Sequence, residues 1–120
     1  MGDVEVAVFA ELEEGVPTAV EAFGRQIALV RWGTECFAVR NICPHQTVAF
    51  TAGRAQGQVL PADRFGNIVV DHADPVLRCP RHTYKFALRT GDCIVDARLR
   101  VKTYSVSIRE GRVFVGDGRE

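Results

Sequence analysis

Apolar and polar positions alternate along this chain in short stretches that glycine, aspartate and proline interrupt. Val4–Phe9 and Gln26–Arg31 are rich in Val, Ile and Ala, and Glu35–Arg40 follows as the next strand-like stretch after the turn Trp32-Gly33-Thr34. Val101–Ile108 is rich in β-branched residues, and Val113–Val115 follows the turn pair Glu110-Gly111. Such residues suit a pleated, half-buried surface, so each stretch predicts a strand. Gly66–Asp71 and Val76–Arg78 flank Asp71-His72-Ala73-Asp74-Pro75, whose composition predicts a hairpin turn. Only Glu11–Gly15, with its closing glycine, suggests a helical turn. Short strands at regular spacing with almost no helix predict an all-β fold, an antiparallel sandwich or barrel.

Candidate chemistry is concentrated in two places. Cys43-Pro44-His45 and Cys79-Pro80-Arg81-His82 supply two thiols and two imidazoles, with a proline after each cysteine. That donor set suits tetrahedral zinc, or a [2Fe–2S] cluster with cysteines on one iron and histidines on the other. Zinc fingers usually pair Cys with Cys and His with His, whereas each segment here carries one of each. A mixed loop is what a two-iron cluster needs, because each loop must reach both irons. The order of ligands therefore favours the cluster, and a structural Cys2His2 zinc site is the alternative. Pro44 and Pro80 fix φ and lack an N–H, which restricts both loops before any metal arrives.

At these residues the chain resembles the Rieske-type iron–sulfur proteins, above all their small soluble ferredoxins from bacterial oxygenase systems. Ile42-Cys43-Pro44-His45 follows a strand-like Phe37-Ala38-Val39-Arg40, as in the family's first loop. Cys79-Pro80-Arg81-His82-Thr83-Tyr84-Lys85-Phe86-Ala87-Leu88-Arg89-Thr90-Gly91 is similar to its second, CPxHGWxFDLxTG. Val101–Val106 resembles the closing strand, so the likeness spans about residues 4–116. It implies one Rieske [2Fe–2S] cluster per chain, held by Cys43, His45, Cys79 and His82. It also implies a Rieske-like antiparallel β sandwich or barrel over residues 1–120, with an inserted cluster-binding subdomain made of two loops at about 41–90. Residues 50–75, bearing Gly53, Gly57, Pro61 and Gly66, form an excursion whose plainest reading is an elaborated hairpin.

The departures are local. The 33 residues between His45 and Cys79 exceed the usual gap, Thr83 stands where glycine is common, and Ala87 replaces an acidic residue. The respiratory members carry an extra cysteine in each loop, joined as a disulfide. Gln46, Thr47 and Val48 after His45, and Arg81, Thr83 and Tyr84 around His82, offer no such pair. This points to the ferredoxin or oxygenase type.

Composition removes other classes. Fifteen basic and fifteen acidic residues cancel in 120, so nothing general favours nucleic acid. No apolar run approaches the roughly 18–20 residues of a membrane span. No secretory signal is visible, and Val6 spoils the myristoylation pattern opened by Met1-Gly2. A cytoplasmic protein is expected. Cys36 and Cys93 read as small buried thiols, with a Cys36–Cys93 bridge as the sharper alternative. His72 reads as solvated, Trp32 as packing over the base, and Phe86 and Tyr84 as buttresses of the second loop. Arg81 reads first as a solvated cation, with docking of an acidic partner patch as the sharper alternative.

The expected function is one-electron transfer from a flavin reductase to a terminal oxygenase or related oxidoreductase. No 2-His-1-carboxylate motif or nucleotide-binding glycine loop supplies catalysis of its own. A small Rieske-like subunit of a reductase such as nitrite reductase is the alternative. Two thiolates and two neutral imidazoles leave an oxidised cluster about neutral, so it accepts an electron more readily than a four-thiolate cluster. The resemblance implies that Tyr84 stands where the ferredoxins carry an aromatic ring for packing, not a hydrogen-bond donor to the cluster. The midpoint is therefore expected toward the low end of the Rieske range of about −150 to +300 mV. Redox titration checks this, and a strongly positive midpoint contradicts it.

Overall fold

Ile27, Ala28, Leu29 and Val30 are four consecutive apolar residues with no exposed surface, and they mark the centre of the architecture. The computed structural model describes residues 3–42, 49–50, 53–60, 69–79, 84–94, 96 and 98–117, without the side chains of 58–60 and 69–72. Among these residues the strands are β1 (Val4–Val8), β2 (Thr18–Ala22), β3 (Arg25–Trp32), β4 (Glu35–Arg40) and β5 (Ala55–Leu60). They continue with β6 (Val69–Arg78), β7 (Lys85–Ala87), β8 (Thr103–Arg109) and β9 (Arg112–Gly116). Six form one sheet in the order β1-β9-β8-β4-β3-β2, and three form a second in the order β5-β6-β7. Every pairing is antiparallel. The edge strands β1 and β2 approach each other, so the larger sheet is a near-barrel.

Alternation along β3 and β4 explains why Ile27–Val30 are buried on both faces. Ile27, Leu29, Cys36 and Ala38 point into the barrel, where they meet Leu12, Ala22, Tyr104, Val113 and Val115. Ala28, Val30 and Val39 point the other way, onto Leu77, Phe86 and Phe50 beside the three-stranded sheet. The sheet formed by β3 and β4 is thus the wall between two apolar cores. Two-residue turns with positive φ join neighbouring strands at Phe23-Gly24 and Glu110-Gly111, a backbone twist that matches the strands they connect.

The all-β expectation holds, and two local expectations do not. The helical turn expected at Glu11–Gly15 is instead a single 3₁₀ turn at Phe9–Glu11. It stops because Leu12 becomes extended and is buried in the barrel. The turn expected at Asp71–Pro75 lies inside β6. Gln56 pairs with Val76 and Gln58 with Asp71, so His72–Pro75 form a bulge in a continuous strand. Pairing with β5 and β7 outweighs the turn preference of Asp and Pro, and the bulge accommodates the proline. The strand β2 and the short strands β5 and β7 were not marked by sequence, since Ala, Gln and Gly weaken their pattern.

Phe50 is fully buried and meets Phe86 edge-on, with ring centroids 5.6 Å apart. Phe50→Ala is expected to destabilise the protein by about 3–5 kcal/mol, measured as a shift in urea unfolding.

Cys36 and Cys93 are free, buried, and placed in different cores, so they form no bridge. Burial pushes the Cys36 thiol up to about 12, against weaker opposing effects from backbone hydrogen bonds and Arg31. The unfolded thiol ionises near ~8.5. The folded state therefore holds the proton more tightly, and stability is lost as pH rises above that value. Urea unfolding from pH 8 to 11 should show a steeper alkaline loss in the wild type than in Cys36→Ala. The difference is expected to reach up to about 1.4 kcal/mol per pH unit.

Candidate metal centre

The end of β4 delivers the chain into the first ligand segment. Asn41, next after Arg40, is buried, and its backbone N–H donates to the Gln26 carbonyl at 3.0 Å. Its side-chain Nδ2 donates to Gln26 Oε1 at 3.4 Å. These bonds set the point at which the chain leaves the barrel, and Ile42 follows, 40% exposed. Cys43 and His45 lie outside the described residues. Phe50 marks the return, anchored in the core beside the three-stranded sheet.

The second ligand segment begins at the end of β6. Cys79 has no exposed surface and belongs to the same core as Leu77, Phe50 and Phe86. Its backbone N–H donates to the Tyr84 carbonyl at 2.8 Å. That bond brings together the two ends of segment 80–83, which contains His82 and lies outside the described residues, with Arg81. Phe86 is fully buried in this core and Tyr84 is half-buried against it.

The two segments are joined at their stems. The Gly53 N–H donates to the Phe50 carbonyl at 2.7 Å, and the Arg78 N–H donates to the Arg54 carbonyl at 3.1 Å. A Cβ at Gly53 would run into the Arg78 carbonyl oxygen, so only glycine allows this approach. The return limb of the first segment therefore lies against the residue preceding Cys79. Gly53 reads in the sequence as one loop glycine among several, and no local signal distinguishes it.

Arg89 is a second residue that sequence reasoning missed. Its Nη1 and Nη2 donate to the two Glu35 carboxylate oxygens at 3.0 and 2.7 Å. It also donates to the Ala73 carbonyl, from Nε at 3.1 Å and Nη2 at 2.6 Å, and lies over the Phe37 ring. One guanidinium thus ties the turn after β7 and the β6 bulge to β4 of the barrel. Its hydrogen bonds hold the Glu35 carboxyl below the usual carboxylate range. Both side chains are partly solvated, so this contact orients the two sheets more than it stabilises them.

The donor chemistry fits an iron–sulfur cluster. A fully buried cysteine sulfur, at the foot of a short segment and walled by phenylalanines, is suited to a soft metal and not to calcium or magnesium. Cys79 is the one candidate ligand among the described residues, and no group of three or more His, Cys, Asp or Glu gathers there. Among the described residues, no helix is long and apolar enough to cross a membrane.

Comparison with known proteins agrees with this geometry. The model of the Rieske-like [2Fe-2S] domain matches residues 4–116. The chain is 29% identical over 116 residues to the ferredoxin subunit of 3-phenylpropionate/cinnamic acid dioxygenase from Photorhabdus laumondii, covering 96% of this chain and 94% of that one. It superposes on the ferredoxin of carbazole 1,9a-dioxygenase from Nocardioides aromaticivorans with a TM-score of 0.76 and 26% identity. That match covers 98% of this chain and all of the other. A Mycobacterium tuberculosis protein assigned as the small subunit of an NADH-dependent nitrite reductase matches with a TM-score of 0.77 and 25% identity, over 100% of both chains. With a family match over nearly its whole length and a buried cysteine at the foot of its second loop, the chain belongs to the Rieske-like [2Fe-2S] domain family.

Proposed function

We propose that this chain is a soluble one-electron carrier in which Cys43 and Cys79 hold one iron of a [2Fe–2S] cluster and His45 and His82 hold the other. When bound, the cluster takes up and releases one electron without moving heavy atoms far. The observation that carries the reading is the joined pair of stems, Phe50–Arg54 against Arg78–Cys79, beneath two Cys-Pro segments in a chain of this family. Cys79 has no exposed surface and belongs to the core that also holds Phe50 and Phe86. On this reading residues 1–120 are one Rieske domain, with the ligand-bearing part at about 41–90 and a hairpin excursion at about 50–75. The partners are a flavin-dependent reductase as donor and a terminal oxygenase or related oxidoreductase as acceptor, and the compartment is the cytoplasm.

The full-length match to the Mycobacterium tuberculosis protein supports a second reading, a small subunit of a nitrite reductase. Gene neighbours separate the two, since a ring-hydroxylating oxygenase would accompany the first and a large reductase subunit the second.

Purification under oxygen-free conditions is expected to yield a red-brown protein with about two irons and two sulfides per chain. The reduced protein is expected to give a Rieske-type EPR signal. Cys79→Ser should abolish the colour, and His82→Cys should lower the midpoint by replacing a neutral ligand with a charged one. A colourless protein that contains zinc would overturn the reading.

A further inference from the structure

The ligand-bearing part of the chain is charged unlike the rest. Residues 40–89 contain seven Lys and Arg against three Asp and Glu, whereas residues 1–39 contain two against seven. The chain as a whole is neutral, so the stretch of sequence that bears the ligands is net positive and the stretch before it net negative.

Three of these cations stand in a row across the smaller sheet. Arg78 pairs with Lys85 in the β6–β7 register. On its other side, its N–H bonds the Arg54 carbonyl, one step beyond the Ala55–Leu77 pair. Leu77 and Phe86 point into the core, so alternation puts Arg54, Arg78 and Lys85 on the opposite face. Arg54 and Arg78 are exposed, and Lys85 is half-buried. Ile94, whose N–H donates to the Lys85 carbonyl at 2.8 Å, extends the row as a 44% exposed apolar side chain.

Arg98, Arg100, Lys102, Arg109 and Arg112 each meet a carboxylate within 4 Å, whereas Arg25, Arg31 and Arg40 meet none among the described residues. Among the described residues, Arg54, Arg78 and Lys85 likewise meet none. Like charges facing one another across neighbouring strands repel, so the row disfavours the fold unless an anionic surface covers it. It is also close to the redox site, since Arg78 precedes Cys79 and Lys85 follows Tyr84.

We propose that Arg54, Arg78 and Lys85, with Ile94 at the end of the row, form a docking surface for an acidic patch around the redox centre of a protein electron-transfer partner. The proposal rests on the carrier reading. Opposite charge steers encounter and sets orientation, while the exposed isoleucine offers the apolar contact that charge alone lacks.

The test uses the cluster-loaded protein and two haem proteins as probes, cytochrome b5 with an acidic haem edge and cytochrome c with a basic one. In each reaction the reduced protein gives one electron to a ferric haem, and stopped-flow absorbance reads the rate. Oxidation by cytochrome b5 should slow as salt rises. At low salt it should fall about tenfold when Arg54, Arg78 and Lys85 are all changed to Gln. Arg78→Gln alone should give a smaller fall and serves if the triple variant does not fold. The rate with cytochrome c should not fall, the visible spectrum should be unchanged, and Tm should hold or rise once the like charges are gone. A salt-independent rate with cytochrome b5, or an equal rate in wild type and variants, would overturn the proposal. So would a fluorescent DNA duplex that binds the wild type but not the triple variant while the cytochrome rates stay equal. Failure of the carrier reading looks different, because the protein would then hold no reducible cluster and oxidise neither probe.

Discussion

Gly53 lies so close to the Arg78 carbonyl that no side chain fits between them, and this contact sets the distance between the stems of both ligand segments. A four-donor site drawn from two distant stretches needs their ends held in register before the metal arrives. Here 33 residues separate His45 from Cys79, and those ends must be brought back together. Closure entropy grows slowly, by about 0.6 kcal/mol per doubling of length, so the long excursion costs little once its ends are fastened. The Phe50–Gly53 and Arg54–Arg78 backbone bonds fasten them, and antiparallel pairing of β5 with β6 carries the excursion away from the site.

The wall formed by β3 and β4 divides the molecule into two parts with separate packing. Ala38 contributes to the barrel core, and Val39, its neighbour, to the core that holds Cys79. Arg89 bridges the two from outside, joining Glu35 to the β6 bulge. The bulge has a role in this contact, because it brings the Ala73 carbonyl within reach of the guanidinium. Strand pairing, side-chain alternation and one bidentate ion pair together fix how the ligand-bearing sheet sits on the barrel.

How much of this was legible in the sequence depended on whether the signal was local. The limits of β4 were read as they stand, because the apolar run Cys36–Val39 is bounded by Glu35 after the Gly33 turn and by Arg40. The burial of Phe86, Cys36 and Cys93 also followed from pattern and composition, whereas the separation of the two cysteines into different cores did not. The course of β6 did not, since Asp71-His72-Ala73-Asp74-Pro75 has strong turn chemistry and is carried through as a bulge by the pairing of the residues on either side of it. Gly53 and Arg89 were equally invisible, because a close backbone approach and a contact across 54 positions leave no local trace. Of the candidate site, the spacing of Cys43, His45, Cys79 and His82 carried the chemistry, and the buried position of Cys79 agrees with it. The other three, with Arg81, fall outside the described residues.

The division of packing along β3 and β4 bears on how such a protein matures. The barrel closes around Ile27, Leu29, Val113 and Val115, a core separate from the one that holds Cys79, so its packing does not draw on that ligand. A newly made chain awaiting its inorganic core can therefore keep a finished scaffold in the barrel half. Oxidative damage that strips the iron would leave that scaffold standing, and repair need not begin from an unfolded polypeptide.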